Sequence, residues 1–156
     1  MPGYRAHVGF GIVVYCFVVV MYVAKIMQSV PFFTALEWFM CAVLGALFPD
    51  IDTKSTGQLL FYRCMAAFLL YCLFKKKLVL FIWASLLGLL PLLVHHRGLF
   101  HRIWFIIFAS AATAYGAAYW YPAFYKQVAW DATFFAAGAL SHIILDEVVT
   151  RTKRMF

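Results

Sequence analysis

The chain has 156 residues, of which 66% are hydrophobic and only 12% charged, with a formal net charge of +7. A soluble domain of this length cannot bury two-thirds of its residues, so the surplus apolar surface requires lipid as its solvent. The positive balance does not indicate nucleic acid: the basic residues lie between apolar runs, where they serve as topological signals and headgroup contacts, and no nucleic-acid partner is expected.

The first apolar run covers 8–24 and closes at Lys25. Arg5 stands ahead of it as in a secretory leader. The run is long for one, however, and 25–29 offers no small-x-small cleavage site, so it is read as an uncleaved span. A second run, 31–48, carries Glu37 and Trp38 and stops at Pro49-Asp50. Glu37 is an intramembrane carboxylate, expected to face the protein interior, a wet cavity or the far interface. The polar loop 50–58 follows, then a third run, 59–74, interrupted by Arg63. At 1.5 Å per residue its sixteen residues reach about 24 Å, short for a bilayer core of about 30 Å. Lys75-Lys76-Lys77 separates it from a fourth run, 78–94.

The octad His95-His96-Arg97-Gly98-Leu99-Phe100-His101-Arg102 comes next, with three of the five histidines of the chain. A fifth run, 103–121, is rich in Ala, Ser and Gly, which predicts close packing against neighbouring helices. Tyr119, Trp120, Tyr121 and Trp130 read as an aromatic belt at one interface. The sixth run, 132–145, carries His142 and continues into a basic tail. Cys16, Cys41, Cys64 and Cys72 all fall inside apolar runs with no C-x-x-C pair, so neither disulfides nor a thiolate metal site is expected.

This pattern predicts an all-α, polytopic helical membrane protein of about six transmembrane helices, one integral membrane domain over 1–156. Following the sides, six crossings bring His7, Asp50, Asp52, the octad, His142 and Asp146 to one membrane face. Asp131 falls on the other. The site face carries eight Lys/Arg against five opposite, which makes it cytoplasmic by the positive-inside rule.

The convergent residues suit metal. His142 and Asp146 are four apart on a predicted helix and project from one face. Asp50 and Asp52 follow Pro49 at a helix end, where a turn aims both carboxylates at one point. His96 and His101 bracket Gly98, which permits a tight turn. A His/Asp set without thiolate suits Zn2+, with Mn2+ or Mg2+ as alternatives. The natural chemistry is hydrolysis, and Arg97 and Arg102 add donors suited to phosphate oxygens. At a membrane edge that points to a lipid phosphoester.

The motif series resembles the YdjM family, described as inner-membrane metal-dependent hydrolases. The family pattern has an N-terminal histidine with a nearby glycine, P-D-x-D, H-R-G-x-T-H and S-H-x-x-x-D. Here these are His7 with Gly11, Pro49-Asp50-Ile51-Asp52, His96-Arg97-Gly98-Leu99-Phe100-His101, and Ser141-His142-Ile143-Ile144-Leu145-Asp146, and Gly57-Gln58 also looks familial. Phe100 and Arg102 stand where the family usually has Thr and Ser. The family in turn looks distantly similar to zinc-dependent phospholipase C and single-strand nucleases, which implies a phosphoester substrate by analogy.

The expectation is a bacterial inner-membrane, metal-dependent hydrolase of a lipid phosphoester. His7, Asp50, Asp52, His96, His101, His142 and Asp146 are the candidate ligands. Asp50, Asp52, His101 and Arg97 are the candidate catalytic residues, with Arg97 and Arg102 on the phosphate. The identity of the water-activating carboxylate and the oligomeric state stay open. The competing expectation is a non-enzymatic carrier or assembly partner with a structural His/Asp cluster.

Overall fold

The computed structural model describes residues 3–26, 29–93 and 98–155, and the side chains of all of these except 26 and 151–155. The described residues form six α-helices: α1 (Tyr4–Ile26), α2 (Phe32–Leu47), α3 (Thr56–Phe74), α4 (Leu78–Leu93), α5 (Ile103–Trp120) and α6 (Tyr125–Met155). Short 3-10 turns at Phe48–Asp52, Leu99–His101 and Pro122–Phe124 join or extend them. Five segments are long and apolar enough to cross a membrane, and α4 is apolar but shorter. The chain is a polytopic helical membrane protein.

The short run is therefore the fourth rather than the third. Helix α3 starts ahead of its apolar residues because Ser55 caps it, accepting a hydrogen bond from the Gln58 backbone N–H at 3.1 Å. It ends at the lysine turn. There Lys77 N–H returns to the Cys72 carbonyl and Lys76 N–H to the Leu73 carbonyl, a Schellman closure with Lys76 in the left-handed region at φ 54°. Helix α6 outruns its apolar stretch. Its 31 residues extend to about 46 Å, well past a bilayer core of about 30 Å, so its basic end projects beyond the lipid.

Helix α6 is the central element: it packs on α2, α5 and α1, whereas α3 and α4 form a hairpin packed mainly on itself and on the turn Phe48–Asp52. The α2–α6 crossing is made of small residues. Gly45 lies against the Phe135 carbonyl and Gly138 against the Ala42 carbonyl, and a Cβ on either would run into that backbone. Ala42, Ala46 and Ala139 at the same crossing are fully buried. With lipid outside, association comes from such close backbone approach rather than from a hydrophobic force. Gly11 of α1 closes onto Ala46 from the third side.

Two sequence expectations change. The small residues of α5 are not uniformly buried: α5 leans on α6, yet Gly116 has open space around it and Ala111 and Ala112 are exposed. The intimate contact belongs to α2 and α6, because their glycines lie on facing stripes. Trp130 is not part of the aromatic belt. It packs edge-on against Tyr22 and beside Trp38 and Phe134 in the core, while Tyr119, Trp120 and Tyr121 stay exposed as a belt requires.

Two outcomes follow from this architecture. Gly138→Val should separate α2 from α6 and lower unfolding stability by about 1–3 kcal/mol, while Gly116→Val should change it by less than about 0.5 kcal/mol; thermal unfolding in detergent distinguishes them. In sealed vesicles, Lys54→Cys and Lys76→Cys should react with a membrane-impermeant maleimide from opposite sides. Labelling from the same side would show that α3 does not cross.

Candidate metal centre

The centre forms where α1 begins, α2 ends and α6 nears its last turns. Pro49 lacks a backbone N–H and cannot continue the α-helical ladder, so α2 stops at Leu47 and tightens into the 3-10 turn Phe48–Asp52. The turn brings Asp50 round toward the helix end. It is held by Thr53 and Ser55, whose hydroxyls donate to the Asp50 carbonyl at 3.0 and 2.7 Å. Ending the helix leaves carbonyls of its last turn without an intrahelical partner. One of them, Ala46 O, accepts a hydrogen bond of 2.7 Å from His142 Nδ1.

That bond sets the chemistry of His142. With Nδ1 donating to the carbonyl, Nε2 is the ring atom left for a metal, its lone pair free in the neutral ring. Nε2 lies 3.5 Å from Asp50 Oδ1 and 3.9 Å from Asp146 Oδ2, and it makes no hydrogen bond among the described residues. His7 stacks on the His142 ring with centroids 3.7 Å apart and places its Nε2 3.5 Å from Asp146 Oδ1. His101, on the 3-10 turn Leu99–His101, meets His142 edge-on at 5.7 Å and lies 3.7 Å from Asp50 Oδ1. Five side chains from four separate segments thus converge.

The distances bear on metal binding. Contacts of 3.5–3.9 Å are longer than ordinary hydrogen bonds. Ligands ~2.0–2.2 Å from one tetrahedral ion stand ~3.3–3.6 Å from each other. Among the described residues two overlapping triads, His7–Asp50–His142 and His101–His142–Asp146, bring one ligand atom from each member within 4.8 Å of the others, somewhat wider than that spacing. The His142 bond to a backbone carbonyl is the usual outer-sphere arrangement of a ligating histidine. The donor set fits a divalent ion.

Burial is graded. His7 and His142 are almost fully enclosed, Asp146 nearly so, and Asp50 is the most open, with 27% of its side chain exposed. Access to the centre is therefore past the turn Phe48–Asp52. Asp52 shares that turn but belongs to neither triad. Arg102 is exposed directly beyond His101. His96 and Arg97, a candidate ligand and a candidate phosphate contact, lie outside the described residues, as does His95.

Several non-ligating motif residues acquire a structural reason. Gly11 admits Ala46 and, with it, the carbonyl that His142 needs. Ser141 Oγ donates to the Gly138 carbonyl at 2.7 Å and is buried in the crossing rather than aimed at the centre. Gly57 lies against the Leu47 carbonyl. Phe100 is buried edge-on against Phe48 at 5.3 Å and Phe105 at 5.7 Å, which anchors the turn bearing His101. The Ala46 carbonyl was missed by sequence reasoning, because a backbone acceptor leaves no residue-type signal. The signal available was Gly45 with Gly138, two glycines inside helical runs.

Glu37 and Asp131 belong to a different cluster. Gln127 Nε2 donates to both Glu37 oxygens at 2.8 and 3.0 Å, and Asp131 and Cys41 stand beside them. On α6, Asp131 and His142 are eleven residues apart, about 16 Å. These carboxylates are at the opposite end of the α2–α6 pair and take no part in the centre.

Neither a curated protein nor a solved structure matches the chain. One family model does, that of the YdjM inner membrane protein, and it spans residues 1–156. With the whole chain covered, apolar helices of membrane length and the His/Asp series in place, the protein belongs to the YdjM inner membrane protein family.

Proposed function

We propose that the chain is a metal-dependent hydrolase acting on a phosphoester of a membrane lipid. The observation that carries this reading is the convergence of His7, Asp50, His101, His142 and Asp146 through His–Asp contacts of 3.5–3.9 Å, with His142 Nδ1 held by the Ala46 carbonyl. A hydrogen-bonded structural cluster would close to about 2.7–3.0 Å. Two carboxylates at the end of a lipid-solvated bundle also carry negative charge that a dication offsets.

When bound, a divalent ion such as Zn2+ supplies Lewis-acid polarisation and acidifies a coordinated water. The residues do the rest. His142 and His7, stacked and enclosed, hold their rings in one orientation. Asp50, the most accessible carboxylate, faces the entry path. Asp52, two positions after Asp50 on the same turn and in neither triad, is assigned to take the proton of the attacking water. The water oxygen bonds to phosphorus, the ester P–O bond breaks, and the proton passes to the departing alkoxide. Arg102, and Arg97 with it, neutralise the phosphoryl oxygens by charge-assisted hydrogen bonds. The site face is cytoplasmic on the Lys/Arg count.

Metal analysis of the purified protein tests the reading first. Stoichiometric Zn2+, Mn2+ or Mg2+ is expected, and removing it with a chelator should lower the melting temperature, since a ligand at 100 times its Kd adds about 2.7 kcal/mol. No metal and no chelator effect would leave the structural-cluster alternative. Phosphate release from phosphatidic acid vesicles then separates the roles. His142→Ala should lose metal and at least about 100-fold in rate, whereas Asp52→Asn should keep the metal and lose the rate. An Asp52→Asn protein with wild-type turnover would take the proton away from Asp52.

A further inference from the structure

Beside the centre runs a groove of about 290 Å³ with almost no polar lining. One wall carries Leu44, Phe48 and Ile51, the other Leu60 and Cys64, and Phe135 of α6 forms the floor. The residues lie at helical spacing on both walls, so each wall is a single stripe. At Gly57 the start of α3 is pinched onto the end of α2 through the Leu47 carbonyl. Below that pinch α3 packs on α4 rather than along α2, and the gap between them is the groove. It starts at the level of Ile51, next to Asp50, and runs back over the turn Phe48–Asp52 and the last residues of α2 to Leu44, toward the bilayer interior. Cys64, on the rim, is exposed.

The charge around the mouth is complementary to an anionic amphiphile. Lys54 is exposed in the loop between the Asp50 turn and α3, and Arg102 is exposed beyond His101. Phe48 is shared: its ring lines the groove and packs edge-on against Phe100, the neighbour of His101. The apolar trough thus adjoins the Asp50 turn, and the two exposed cations flank that turn and the one bearing His101 in sequence.

We infer that this groove is the acyl-chain subsite for an anionic phospholipid whose phosphate lies at the His/Asp centre, an inference that rests on the hydrolase reading for its headgroup end only. Lipid tails are as apolar as leucine, so moving a chain from the bilayer into the groove contributes little affinity. The groove orients. A chain seated between α2 and α3 leads its own headgroup past Ile51 to Asp50, which makes Leu44, Leu60 and Cys64 positioning and specificity residues.

The full chain in vesicles of phosphatidylethanolamine and phosphatidic acid, the latter carrying a mid-chain diazirine, provides the test. On irradiation, label should concentrate on peptides 44–51 and 57–64. It should be lost in Leu60→Trp and in Leu44→Trp, which fill the groove from opposite walls, and kept in Leu59→Trp, off the groove face. Label unchanged in the filled variants, or spread evenly over α4 and α5 in the wild type, would overturn the inference. So would a Cys64–Cys64 cross-link between copies that excludes the lipid label. If a filled variant does not fold, the wild-type label map decides. Labelling requires no turnover and is done with and without chelator. Label in the groove with no hydrolysis overturns the enzyme reading alone; hydrolysis without label in the groove overturns the subsite alone. In the hydrolysing protein, Leu60→Trp should lower turnover of long-chain phosphatidic acid more than that of a water-soluble phosphomonoester, and an equal loss on both would overturn the subsite.

Discussion

The hydrogen bond from His142 Nδ1 to the Ala46 carbonyl is the constraint from which the rest of the centre follows. It needs a free carbonyl, a close approach and a fixed ring. Pro49 frees the carbonyl by ending α2. Gly45 and Gly138 allow α2 and α6 to approach until backbone touches backbone. The stacked His7 ring fixes the plane. The first two conditions are met by residues that themselves bind nothing and the third by His7, itself a candidate ligand, and the donors that face Asp50 and Asp146 are oriented as a result.

A cluster of this kind is expensive in a bundle solvated by lipid. Charged carboxylates lose hydration there and must find compensation nearby. The fold meets that demand in two ways. It places the cluster at the end of the helices, where Asp50 reaches the interface, and it surrounds the carboxylates with imidazoles rather than with apolar side chains. The opposite end of α2 and α6 shows the contrast. Glu37 finds the Gln127 amide at hydrogen-bond distance, so its polar demand is met within the protein.

Two octad residues act on the turn that bears His101. Phe100 supplies a ring that packs on Phe48 and Phe105. The turn is thereby held by apolar packing, and Arg102 stands exposed directly beyond it. The wall formed by Phe48 then serves both the turn above it and the groove below it.

The membrane class and the set of residues that meet were legible in the sequence. Apolar run lengths leave few topologies, and six crossings put His7, Asp50, His101, His142 and Asp146 on one face, provided that α3 and the shorter α4 cross together. Helix ends were less legible. Ser55 capping added a turn to α3, and α6 ran far beyond its apolar stretch because polar residues continue a helix as readily outside lipid as apolar ones do inside it. Run length also misassigned Trp130, since an aromatic residue near an interface can face lipid or neighbour equally well by period alone. What only tertiary structure decided is which residues of a face touch. Asp50 and Asp52 are indistinguishable by type and two positions apart, yet only Asp50 joins the triads, because the direction of a side chain on a 3-10 turn depends on how that turn is packed. The Ala46 carbonyl is the clearest case: every residue has one, and only the crossing of α2 with α6 selects it.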